Sequence, residues 1–146
     1  MPVKNDREYR FFSDVKIEQK AEGDARSYMV EGYASTFAPY EMLEIDGVKY
    51  YERIARNAFD STDMSDVVFL RDHTGRVLAR SKNGRIQLSV DDHGLHTRTD
   101  LSSTAAAREM VEDIEAGNYT QMSFSFTVGA DHFDKETRTR VIDKVS

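Results

Sequence analysis

The chain has 146 residues, of which 39% are hydrophobic and 32% charged, with two prolines and eight glycines, the size and composition of one globular domain. Its formal charge of −6 at pH 7 and the lack of a basic run at either end argue against direct contact with a nucleic-acid backbone. The absence of cysteine excludes disulfides, thiolate nucleophiles and cysteine-held zinc.

Residues 1–10 (MPVKNDREYR) hold no apolar signal core, and no stretch approaches the ~20 apolar residues of a membrane span. A cytoplasmic protein with no membrane partner is expected. Glu8 to Lys20 mixes aromatics with alternating Val15 and Ile17 and predicts a strand. After a turn over Ala21 to Arg26, Tyr28 to Thr36 predicts a second strand, with Gly32 marking a bulge or close approach.

Phe37 to Lys49 reads as a loop carrying an Asp46-Gly47 turn, and Tyr50 to Ile54 as a short strand. Ala55 to Ser61 predicts a short helix with Ala58 and Phe59 inward, and Val67 to Leu70 a buried strand leading into a polar connection, Arg71 to Arg76. Arg85 to Val90 and Leu95 to Leu101 alternate on either side of Asp91 to Gly94, the pattern of a hairpin.

Ala107, Met110, Val111 and Ile114 recur at helical spacing within Thr104 to Ala116, with Ser102 or Ser103 as cap and Gly117 as terminator. From Gln121 to Val128 the period is two, so Met122, Phe124, Phe126 and Val128 share one face and Ser123, Ser125 and Thr127 the other. Thr139 to Val145 predicts the final strand. The inventory is mainly β with flanking helices, and a partly closed barrel fits it better than repeated βαβ units.

Without cysteine, a covalent hydrolase here needs a hydroxyl or carboxylate nucleophile, and a hydroxyl needs a base to take its proton. His73 follows a strand signal and is a candidate base, with a solvated loop histidine beside Asp72 as the alternative; His132, shortly after the Ser123 strand, is a candidate third member. His93 and His96 read as surface residues of the hairpin. Ser123 and Ser125 both lie on the polar face of their strand, and neither sits in a GxSxG elbow. Asp72, His73, Asp91, Asp92, His93 and His96 could ligate a metal, but no HExxH pair or comparable spacing is present.

An ordered series of landmarks resembles the HK97-type prohead protease family of tailed phages and prophages. Gly32, Tyr33, Ala34 and Phe37 match its early triplet and following phenylalanine. Glu52, Ile54, Asn57, Ala58 and Phe59 match a Glu-x-Ile segment before a small-Ala-Phe triplet, with Asn57 where glycine is usual. Leu70 through Thr74 match its histidine segment, with Asp72 and Thr74 replacing the usual Asn and Asp. Gly94 and Leu95, the helix from Ala105 to Gly117, and Met122-Ser123-Phe124-Ser125-Phe126 complete the series, Ser125 standing for a glycine.

The resemblance implies a herpesvirus-maturation-protease-like β-barrel over 1–146, a single prohead protease domain. It implies His73 as base and Ser123 as nucleophile, with no cofactor or metal. Relatives continue beyond the strand matching Val141 to Val145, so a C-terminal continuation is expected, and His132, Asp131 and Asp143 are the third-member candidates within the chain. The implied partners are the major capsid protein precursor and its scaffold segment, with self-association, in the host cytoplasm within assembling proheads. The alternatives are a noncatalytic capsid-assembly or scaffold-binding module and a metal-dependent hydrolase.

Overall fold

A computed structural model describes residues 7–18 and 27–146. In chain order these form β1 (Glu8–Asp14), β2 (Lys16–Ile17), β3 (Met29–Thr36), β4 (Tyr40–Ile45), β5 (Val48–Ile54), β6 (Val68–Arg71), β7 (Thr74–Arg80), β8 (Ile86–Val90), β9 (Gly94–Asp100), α1 (Ala105–Glu115), β10 (Gln121–Phe126), β11 (Val128–Asp134) and β12 (Thr139–Val145). The fold is mainly β, with one helix among the described residues.

The strands form two four-stranded sheets, β11-β12-β5-β4 and β2-β3-β9-β8, and two two-stranded ladders, β1-β10 and β6-β7. These ladders do not close into one barrel among the described residues, unlike the barrel expected from the sequence. The edge strands β11 and β4 of one sheet and β2 and β8 of the other pair with no strand of the opposite sheet, and bulges between Phe11 and Ser13, Tyr33 and Ser35, and Glu41 and Leu43 bend strands locally. The layers meet through side chains instead. Ile54, Phe59, Leu95, Phe126 and Ile142 centre one buried cluster, and Val30, Leu78, Leu101, Met110 and Val111 centre the other. Val15, Phe69 and Leu88 pack against both.

Several local expectations change. The expected turn at 21–26 lies outside the described residues. The predicted loop from Phe37 to Lys49 is largely the β4–β5 hairpin, closed by Asp46 and Gly47 at φ 50° and 79°, the backbone signature of a two-residue hairpin turn. The bulge between Glu41 and Leu43 breaks the alternation that would have revealed β4. The helix predicted over Ala55 to Ser61 is a run of turns, with Ala58 N–H to Ala55 O at 2.9 Å and Asp60 N–H to Asn57 O at 3.1 Å. Val145 N–H donates to Ala58 O at 3.0 Å, taking a carbonyl that a helix would use, while Ala58 and Phe59 are buried as expected.

Val68 is 40% exposed, so β6 is a hairpin arm and not the predicted buried strand. The first serines do not cap α1. Ser102 is held by Asp100, and Thr104 Oγ1 accepts from Ala107 N–H at 3.1 Å as the cap. Gly117, at φ 82°, ends the helix as predicted.

The irregularity expected at Gly32 lies between Tyr33 and Ser35, opposite the start of β9. There Gly94 is the residue that permits close approach: a Cβ built on it would lie 2.0 Å from Ser35 O and 2.7 Å from Thr36 Cα. Gly94→Ala is therefore expected to lower stability by more than about 2 kcal/mol by forcing the β3 and β9 backbones apart. Urea unfolding checks this, and a midpoint equal to that of the wild type would refute it.

Candidate active site

The β6–β7 hairpin turns on two residues, Asp72 and His73, both left-handed at φ 50° and 57°. Asp and His enter this region more readily than most non-glycine residues, at a strain of about 1 kcal/mol or more each. Side chains brace the turn. Arg71 pairs with Asp113 of α1 at 3.0 Å and its guanidinium lies 5.7 Å from the centre of the Tyr119 ring, and the Tyr119 hydroxyl bonds to Asp72. The hairpin is thereby fastened to the helix and the segment after it.

Ser123 lies on β10, where Met122 and Phe126 are buried and Ser123 and Ser125 are partly exposed. The antiparallel partner β1 sets Phe11 opposite Ser123 and Tyr9 opposite Ser125. At the hairpin tip His73 Nε2 is hydrogen-bonded to Ser123 Oγ, 50 residues away in sequence. In the neutral imidazole protonated at Nδ1, the serine hydroxyl donates to Nε2, the arrangement that lets histidine receive its proton.

Tyr9 packs edge-on against the His73 ring, with centroids 4.8 Å apart and planes at 76°. Partial burial depresses the His73 pKa below its ordinary value, the Asp72 carboxylate opposes this, and the positive charge of Arg7 reinforces it. The site thus favours an unprotonated imidazole beside a hydroxyl, the starting state for nucleophilic attack.

The structure brings His73 and Ser123 together and gives the other candidates different partners. His132 Nδ1 lies 2.6 Å from Asp143 Oδ2, and Arg140 Nε donates to Asp131 Oδ2 at 2.7 Å, all on β11 and β12. Tyr33 donates to Asp91 at 2.6 Å and its ring lies edge-on to His93 and His96. Among the described residues, no group of three or more His, Asp or Glu side chains is gathered as metal ligands.

Sequence reasoning missed Tyr9 and Arg7 as neighbours of the pair. The aromatics of β1 were visible, but only its pairing with β10 gives Tyr9 a place beside His73.

A family model described as caudovirus prohead serine protease matches residues 13–146. No curated protein and no solved structure matches the chain.

Proposed function

The chain belongs to the caudovirus prohead serine protease family, and from that premise we propose that it is a serine endopeptidase cleaving the capsid protein precursor and its scaffold segment during prohead maturation, with Ser123 as nucleophile and His73 as base. The observation carrying this reading is the His73 Nε2 to Ser123 Oγ hydrogen bond.

Ser123 Oγ attacks the scissile carbonyl carbon as its proton passes to His73 Nε2. The tetrahedral oxyanion then collapses, the C–N bond breaks, and the His73 imidazolium gives its proton to the departing amine. Water, deprotonated by His73, attacks the acyl-enzyme; the Ser123 ester bond breaks, Oγ recovers the proton, and the carboxylic acid product leaves. The likeness to herpesvirus maturation proteases expected from the family resemblance stays part of this proposal as a mainly β fold with a flanking helix, without the closed barrel.

The host cytoplasm, within assembling proheads, is the proposed place of action. No helix among the described residues is long and apolar enough to cross a membrane. Confinement inside a shell raises the effective concentration of substrate and of further copies of the protease, which favours self-association there. Co-expression with the capsid precursor, followed by intact-mass measurement, tests the activity. A precursor of unchanged mass in the presence of folded wild-type chain would overturn it.

The acid limb of activity provides a separate prediction. His73 acts as base only when neutral, so kcat/KM should rise with pH as its imidazole loses the proton. Burial holds that transition below the ordinary histidine value of about 6.5. A precursor-derived fluorogenic peptide should therefore be cut at more than half its maximal kcat/KM at pH 6.5. A half-maximal point above pH 7 would contradict the assignment.

A further inference from the structure

Arg7 lies before the residues matched by the family model, yet it reaches the strand that carries Ser123. Its Nε donates to Ser125 Oγ and its Nη2 to Ser125 O, both at 2.8 Å. This is a two-pronged grip by a planar guanidinium, a geometry that lysine cannot reproduce. The grip falls two residues from Ser123 on β10, and β1 also supplies Tyr9 against His73.

We infer that Arg7 is a positioning residue for the Ser123–His73 pair, clamping β10 through Ser125. The inference rests on the reading of those two residues as the reactive pair. Among the described residues, the groups near the imidazole are Asp72 on its own turn, Arg7 just before β1, Tyr9 from β1, and Ser123 from β10. Asp72 favours the imidazolium and Arg7 disfavours it. Without Arg7, only burial is left to oppose the carboxylate.

Charge and clamp can be separated because lysine retains one and loses the other. The full chain, labelled with carbon-13 at its histidines, is titrated by NMR as wild type, Arg7→Ala and Arg7→Lys, with His73 assigned by the signal lost in His73→Gln. The His73 midpoint should rise in Arg7→Ala and stay near the wild-type value in Arg7→Lys. Peptide kcat/KM at pH 7.5, where the base is neutral in every form, should fall about tenfold in both variants.

A residue that merely stabilised the fold would not move the histidine midpoint in Arg7→Ala and spare it in Arg7→Lys. An unmoved midpoint in Arg7→Ala overturns the charge role, and wild-type kcat/KM in Arg7→Lys overturns the clamp. Because the titration needs no turnover, it is separable from proteolysis. A moved midpoint in a chain that leaves the precursor whole would sustain the Arg7–His73 coupling and sink the protease reading, whereas Ser123-dependent cleavage with an unmoved midpoint would do the reverse.

Discussion

Ser123→Ala is expected to abolish precursor cleavage, lowering kcat by at least about 10³-fold while leaving the fold intact. The change removes one oxygen from a partly exposed position on β10, whose inward neighbours Met122 and Phe126 hold the core, so unfolding stability should stay within about 0.5 kcal/mol of wild type. His73→Ala should cost a similar factor, because a serine without its base and a base without its serine each lose the same proton transfer. The double variant should then be no slower than the worse single variant. Independent, multiplying losses would show that the two residues do not act as one unit. Cleavage retained by a correctly folded Ser123→Ala would remove Ser123 as nucleophile altogether.

How much of this was legible in the sequence depended on whether the governing interaction was local. The β8–β9 hairpin, α1 and β12 follow from alternation, helical spacing and turn residues within a few positions of one another, and they stand close to where those patterns place them. The β4 strand was hidden by its bulge. The geometry at His73 was hidden more deeply, since a two-residue hairpin turn normally advertises itself with Asn-Gly or Asp-Gly, and Asp72-His73 offers no glycine.

Pairing across the chain was not legible from periodicity at all. No local pattern announces that β12 runs parallel to β5, or that β1 pairs with β10. The choice of His73 and Ser123 therefore came from the ordered resemblance to a family, and residue patterns alone left Ser125 nearly level with Ser123. Ser125, which departs from that family pattern, proves to be the acceptor for Arg7.

The second large effect is expected from a charge network that no sequence pattern revealed. Glu52 is fully buried and Arg10 is 2% exposed. Arg10 Nε donates to Glu52 Oε1 at 2.5 Å and Nη2 to Oε2 at 3.0 Å, Arg140 Nη1 donates to the same Oε2 at 3.0 Å, and the Tyr40 hydroxyl donates to Oε1. Glu8 accepts from both guanidiniums, at 2.9 Å from Arg10 and 2.8 Å from Arg140. One carboxylate thus joins β1, β4, β5 and β12. The Arg140 hydrogen bond holds Glu8 below the usual carboxylate range against the opposing effect of burial. Its ionised form consequently stabilises the fold above the unfolded carboxylate value, and that contribution fades only as pH falls through the lowered one.

Glu52→Ala would leave the Arg10 guanidinium buried without its main counter-charge, a loss of about 3–5 kcal/mol. For a chain of this length that corresponds to a fall in Tm of about 10 °C. Activity should fall further than stability alone dictates, because β1 holds Tyr9 against His73 and pairs with the Ser123 strand. Replacing Arg10 by Met together with Glu52 by Leu should be less destabilising than the two single changes combined, since removing both charges leaves no unpaired ion between them, although Arg140 and Tyr40 still lose an acceptor. Urea midpoints for the five proteins, wild type, Glu52→Ala, Arg10→Met, Glu52→Leu and the double variant, decide the matter. A Glu52→Ala loss under about 1 kcal/mol, or strict additivity in the pair, would mean that the network does not secure β1 and that the position of the Ser123 strand depends on apolar packing alone.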